Sequence, residues 1–212
     1  MRYPFILFDL DGTLINTNEL ILQSFEYTLD KVIPGLYTKE LILSCWGRPL
    51  MEQMALFDPE RVDELIRVYR EFNRAHHDRL IARFPLVQEV IFKLKEIGCQ
   101  LGIVTSKMRT SAINGLQFAG IADAFDTVVG VEDTILHKPY PEPVLLALER
   151  LNAPAAQTLM IGDSPADIES ARTAGIATAG VCWSLRVDDL IRCVPNFMLT
   201  TMEDAISITN AE

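Results

Sequence analysis

The chain has 212 residues, 49% of them hydrophobic, which is enough for one ordinary core and a smaller second one, since domains commonly run to about 100–150 residues. A formal charge of −10 and a pI near 4.8 speak against a nucleic-acid-binding surface, which relies on clustered Lys and Arg, so an anionic ligand must meet positive charge that is local. Cys45, Cys99, Cys182 and Cys193 show no C-x-x-C spacing and lie in apolar segments, which fits reduced thiols rather than a zinc site or a disulfide framework.

The first predicted element is a strand over 4–9, within FILFDLDGT. The apolar run MRYPFILF is too short for a signal peptide, and no stretch approaches the ~18 apolar residues of a membrane span, so the expectation is a soluble, cytoplasmic protein. Residues 14–84 read as helices throughout. One helix over 17–30 carries Leu20, Ile21, Phe25 and Leu29 on one face, and another over 60–81 carries Val62, Leu65, Ile66, Tyr69 and Phe72. Between them CWGRPL, 45–50, breaks the helical pattern at Gly47 and Pro49.

From residue 85 the pattern alternates. Helices over 86–98, 108–119, 141–152 and 164–174 separate strands over 100–105, 127–131, 158–162 and 176–181. Short apolar strands spaced by amphipathic helices predict right-handed crossovers and a parallel sheet covered on both faces. With the first strand this makes a five-stranded α/β core. The C-terminal part, 184–212, is less patterned and reads as a short helix, a candidate strand at 197–199 and a final helix.

In an open parallel sheet, ligands bind at the carboxyl ends of the strands. Polar residues gather there. The first strand ends in Asp9-Leu10-Asp11, the second in Thr105-Ser106-Lys107 and the fourth in Gly162-Asp163-Ser164-Pro165-Ala166-Asp167, while Lys138 lies in the loop HKPYPEP between Pro139, Pro141 and Pro143. Each has an ordinary account alone, as an Asp-Gly turn, a helix cap or a surface lysine. Together they make a site for Mg²⁺ and a phosphoryl group. Mg²⁺ takes hard oxygen ligands and would offset the repulsion among Asp9, Asp11 and Asp163. A carboxylate can attack phosphorus and split one hydrolysis into two displacements. Asp11, two residues on in an extended segment, points to the same side as Asp9 and can handle the proton. Thr105 and Lys138 suit the phosphoryl oxygens.

DLDGT, the Thr of IVTSK, the Lys of HKPYPEP and GDSPAD resemble, in order and spacing, the four motifs of the haloacid dehalogenase-like (HAD) phosphatases. The resemblance covers nearly the whole chain and implies a Rossmann-like core, residues 1–14 and 85–212, with an inserted helical C1-type cap, residues 15–84. It implies Asp9 as nucleophile and metal ligand, and Asp11 as general acid/base whose backbone carbonyl also meets the metal. Thr105, Ser106 and Lys138 become phosphate ligands and Asp163 a metal ligand. Asp167 orients metal waters or Lys138, and Gly12 and Thr13 form the turn that lets the chain pass close to the phosphate.

Dehalogenases of this fold lack an acid at the position of Asp11, and the β-phosphoglucomutase branch carries a His where NELIL, 18–22, has none. GTLINTNELI, YREFNRAHHD and AGVCWSL are similar to the HAD-type inorganic pyrophosphatases, with phosphoglycolate phosphatases as next neighbours, and GDSPAD reads as in the latter group. The expected substrate is therefore a small phosphorylated metabolite, pyrophosphate first and phosphoglycolate second, with Arg48 of CWGRPL as the candidate for the leaving-group anion. A catalytically silent binding protein of the same fold is the reading of a different class. His76 and His77 are adjacent on a helix and point about 100° apart, a poor geometry for sharing a metal. Trp46 and Trp183 read as packing residues, and caps of this kind hinge in their two connecting segments, near 14–18 and 80–85.

Overall fold

The computed structural model describes residues 1–35 and 37–210, apart from the side chain of Asp78. Leu36, Ala211 and Glu212, which the expected domain ranges include, lie outside the described residues. The first strand, β1 (Phe5–Phe8), is central, and its alternation serves both faces of the sheet. Ile6 and Phe8 join one apolar cluster and Leu7 the other, all three fully buried. Continuous apolar character is what a strand covered on both faces requires.

The insert begins with β2 (Ile15–Asn16), followed by helices α1 (Asn18–Val32), α2 (Lys39–Ser44), α3 (Leu50–Phe57) and α4 (Val62–Leu80), and ends with β3 (Ala82–Arg83). Phe25, Leu29, Ile42, Met54, Leu65 and Tyr69 form an apolar cluster of their own inside these helices. Two polar residues on the buried face of α1 are satisfied locally: the Ser24 and Thr28 hydroxyls donate to the Leu20 and Ser24 carbonyls at 2.6 Å. Phe72 does not enter that cluster. It stacks instead between Tyr27 and His76.

The reading of 14–84 as helical throughout is corrected at both ends. β2 pairs antiparallel with β3, Ile15 opposite Arg83 and Asn16 opposite Ala82, so the two segments joining insert to sheet run side by side as one ribbon. Strands of two residues are too short to show any periodicity.

The remaining chain supplies α5 (Val87–Glu96), β4 (Gln100–Val104), α6 (Arg109–Ala119), β5 (Thr127–Val129), α7 (Glu142–Leu151), β6 (Thr158–Gly162), α8 (Pro165–Thr173), β7 (Ala177–Val181), α9 (Val187–Arg192), β8 (Phe197–Leu199) and α10 (Asp204–Asn210). The sheet has six strands rather than five, all parallel, in the order β5-β4-β1-β6-β7-β8. The sixth is the candidate strand at 197–199, the edge strand β8, three residues long and paired only with β7. Strand order reverses beside β1, and a crevice opens at the carboxyl end of such a switch point. No helix among the described residues is long and apolar enough to cross a membrane.

Candidate active site

Asp9 leaves the sheet immediately after β1, its N–H still donating to the Ile161 carbonyl at 2.9 Å. That bond fixes its backbone at the switch point, where the residue is 6% exposed. Lys138 reaches it from the loop before α7. The ammonium donates to Asp9 Oδ1 at 2.7 Å, to Asp167 Oδ1 at 2.6 Å and to the Val104 carbonyl at 3.0 Å, using all three of its protons. Burial alone would lower the Lys138 pKa, and the Asp167 and Asp9 carboxylates more than reverse this, holding the group charged above its ordinary range.

Asp167 is placed by the start of α8. Ser164 caps the helix, Pro165 occupies its first position, and Asp167 Oδ2 accepts from the Ser164 N–H at 3.0 Å and hydroxyl at 2.6 Å. This capping box satisfies the helix end and holds the carboxylate against Lys138. Asp163, 3% exposed, is anchored through its carbonyl, which accepts from the Ser184 hydroxyl at 2.6 Å. Burial pushes Asp163 well above the usual carboxylate range, and the Asp9 and Asp167 charges add to this. Burial likewise raises Asp9, up to about 7, against the pull of Lys138 and with the help of Asp167 and Asp11.

Carboxylate oxygens of Asp9, Asp163 and Asp167 lie within 4.8 Å of one another, the one such group among the described residues. Three buried acids against a single ammonium leave an unbalanced negative charge, and the donors are all hard oxygens. A divalent cation such as Mg²⁺ fits both conditions. Lys138 and Ser164 occupy both oxygens of Asp167, whereas Asp9 Oδ2 and the Asp163 carboxylate accept no hydrogen bond among the described residues, so these two are the freer donors. Gly12 lets the chain approach them. Its φ is +83°, and a Cβ there would stand 2.3 Å from Asp163 Oδ2. Thr13 is fully buried in the same turn, its hydroxyl without a partner among the described residues.

The Asp11 side chain is absent from the acidic cluster. It turns toward the end of β4, where Oδ1 accepts from Lys107 Nζ at 2.8 Å. Thr105 is 5% exposed, its N–H on the Val129 carbonyl and its hydroxyl accepting from the Lys107 N–H. The Ser106 hydroxyl donates to the Gly47 carbonyl at 2.9 Å, tying the CWGRPL loop to the core. Gly47, with φ +86°, allows this approach, since a Cβ would meet Ser164 Oγ at 2.9 Å.

Above these strand ends lies a cavity of about 500 Å³. Asp9, Asp11, Thr105, Ser106, Lys138 and Asp163 line its floor. Arg48, Trp46, Tyr69, Arg70 and Asn73 line it from the helical insert. Arg48 therefore borders the cavity, and Trp46 is both buried packing and cavity wall. Trp183 packs on Phe84 instead. His76 stacks on Phe72 with Nδ1 2.9 Å from its carbonyl, and His77 meets Phe118 edge-on, so neither joins the acidic cluster. The sequence places Lys107 at a polar strand end and Tyr69 on an apolar helix face, and gives neither of them, nor Arg70 or Asn73, a role in the site. Lys107 adjoined a motif residue and the other three share a face of α4, but nothing local marked that face as a cavity wall.

The sequence profile of the haloacid dehalogenase-like hydrolases matches residues 6–181. Among curated proteins, pyrophosphatase PpaX of Anoxybacillus flavithermus is 45% identical over 209 residues, 98% of this chain and 97% of that protein. Pyrophosphatase PpaX of Bacillus velezensis is 43% identical over 212 residues, 100% of this chain and 98% of that one. Among solved structures, a predicted phosphatase from Clostridium acetobutylicum superposes with a TM-score of 0.84 at 26% identity, covering 98% of each chain.

Proposed function

We propose, from the premise that the chain belongs to the haloacid dehalogenase-like hydrolase family, that it is a phosphohydrolase cleaving inorganic pyrophosphate through an aspartyl-phosphate on Asp9. The observation that carries this reading is the Asp9 carboxylate, buried at the switch point, gripped on Oδ1 by Lys138 and unencumbered on Oδ2. The substrate assignment draws on the full-length likeness to two proteins named pyrophosphatase. Four free cysteines suit the cytoplasmic setting that goes with it.

In this reading Lys138 orients Asp9 so that Oδ2 attacks phosphorus as the bond to the bridging oxygen breaks. The electron pair leaves with the second phosphate, which takes the proton of Asp11. Water then attacks the phosphorus of the aspartyl-phosphate, Asp11 accepts its proton, and Asp9 is regenerated with release of the other phosphate. Thr105 and Ser106 are assigned to the phosphoryl oxygens. Asp9 and Asp163, with the Asp11 backbone carbonyl, are assigned to Mg²⁺, which when bound supplies electrostatic stabilisation of the phosphoryl oxygens. The insert, 15–84, serves as the cap over the cavity, with Arg48 offered to the departing phosphate.

Phosphate release from pyrophosphate, phosphoglycolate, several sugar phosphates and p-nitrophenyl phosphate, with and without Mg²⁺, tests the assignment. Pyrophosphate should show the highest kcat/KM, and Asp9→Asn should lose at least ~10³-fold while staying folded, since it removes the nucleophile. A Mg²⁺-independent signal, or one that survives Asp9→Asn, would sink the mechanism. Absence of turnover from any of these substrates would favour the silent binding protein.

A further inference from the structure

The two lysines of the site use their protons differently. Lys138 commits all three to protein oxygens. Lys107 donates to Asp11 Oδ1 alone among the described residues and keeps two N–H groups in reserve, with its side chain 22% exposed and that of Asp11 20% exposed. Its position is fixed from both sides, because its own N–H bonds Thr105 Oγ1 at 3.2 Å and its carbonyl accepts from the Val131 N–H at 3.0 Å. The ammonium is thus a pre-positioned cation on the cavity wall with unused donors.

Where it stands determines what it meets. In the proposed reaction Asp11 serves the bridging oxygen and must come within about 3 Å of it. An ammonium 2.8 Å from that carboxylate therefore adjoins the leaving group rather than the transferred phosphoryl group, which Lys138 and Thr105 flank. A leaving group without charge gives the spare donors nothing strong to bind. One with an anionic oxygen close to the bridge, such as the second phosphate of pyrophosphate or the carboxylate of phosphoglycolate, receives a charge-assisted hydrogen bond in a partly water-excluded place.

We propose that Lys107 is a specificity-determining residue that selects substrates whose leaving group carries its own negative charge. The inference rests on the phosphohydrolase reading of the site, and deepens it. Arg48 and Arg70 line the same cavity from the insert and add positive charge to it, while Glu52 and Glu132 also line it.

The test compares the full chain with Lys107→Met and Lys107→Arg on pyrophosphate, phosphoglycolate and p-nitrophenyl phosphate. Lys107→Met should lower kcat/KM for the two anionic leaving groups about 30-fold or more, the scale of removing one partner of a charged hydrogen bond, and for p-nitrophenyl phosphate less than about 5-fold. Lys107→Arg should recover most of the difference. Because p-nitrophenolate leaves without a proton, ethyl phosphate, whose uncharged leaving group needs the proton of Asp11, is measured alongside. A loss on ethyl phosphate equal to that on the two anionic substrates would show that Lys107 acts only by holding Asp11, and that result overturns the inference, as does no loss on any. A wild-type protein that prefers phosphoglycolate to pyrophosphate would remove the pyrophosphate assignment and leave the Lys107 comparison intact. A wild type that favours p-nitrophenyl phosphate over both, or turns over neither anionic substrate, overturns the Lys107 inference as well.

Discussion

At the scale of single residues, the site depends on how closely backbone can approach charge. Gly12 is the clearest case, because both its φ of +83° and the 2.3 Å separation of a would-be Cβ from Asp163 Oδ2 exclude any side chain. Gly12→Ala must displace Asp163 or distort the turn, at a cost of about 1–3 kcal/mol of stability. The variant should also bind Mg²⁺ at least ~10-fold more weakly, since metal ligands tolerate only small displacements. Urea titration gives the first quantity and calorimetric Mg²⁺ titration the second. An unchanged midpoint with unchanged affinity would mean that the turn relaxes freely and that Asp163 is not held by it. The residues of this turn were legible because DLDGT packs two acids, a Gly and a Thr at the exit of an apolar strand. Lys107 was not, because its meaning lies in its contact with Asp11, 96 positions away, and adjacency to Thr105 says nothing about that.

At the scale of elements, long strands and helices were readable from sequence because each has to bury a continuous or periodic apolar surface. The elements missed or left weak, β2, β3 and β8, have two or three residues and are held by pairing rather than by their own pattern. Contacts that fasten one element to another were equally hidden. Asp133, in the turn after β5, accepts from the Gly130 N–H at 2.8 Å, from Arg150 Nη2 of α7 at 2.8 Å and from Arg109 Nη2 of α6. Its side chain is 10% exposed, so burial would raise its pKa, but Arg150, the Gly130 N–H and Arg109 outweigh this and hold it below the usual value of 3.8. An acid whose folded pKa is depressed adds stability above its unfolded pKa and loses it as pH falls toward the folded one. Asp133→Asn should therefore cost about 1–3 kcal/mol at pH 7, with the gap to the parent narrowing below about pH 4. Urea midpoints measured at pH 7 and at pH 3.5 check the sign. A gap that stayed constant across that range would show that the two arginines contribute packing rather than charge.

At the scale of the whole molecule, the strand order sets where charge accumulates. With β4 and β6 flanking β1, the polar ends Thr105 and Asp163 fall on either side of Asp9, which is why an alternation of strands and helices was enough to predict that these residues converge. The arrangement opposes stability. Asp163 is buried without a cationic partner of its own, and its folded pKa is raised by burial and by Asp9 and Asp167. For such an acid the folded state holds more protons than the unfolded one, so the group's contribution worsens as pH rises from about 4 through the folded pKa. Removing the charge should then stabilise the metal-free protein. Asp163→Asn should raise Tm in EDTA by about 2–4 °C, equivalent to about 1 kcal/mol for a chain of this size. The parent should gain Tm on addition of Mg²⁺, because a ligand bound only by the folded state stabilises it, and the variant should lose most of that gain along with its activity. A variant no more stable than its parent in EDTA, yet still stabilised by Mg²⁺, would place the metal elsewhere and leave the Asp163 charge compensated by something other than a cation. The opposite result would mean that this fold tolerates a destabilising cluster of acids because the same unbalanced charge captures the ion its chemistry uses.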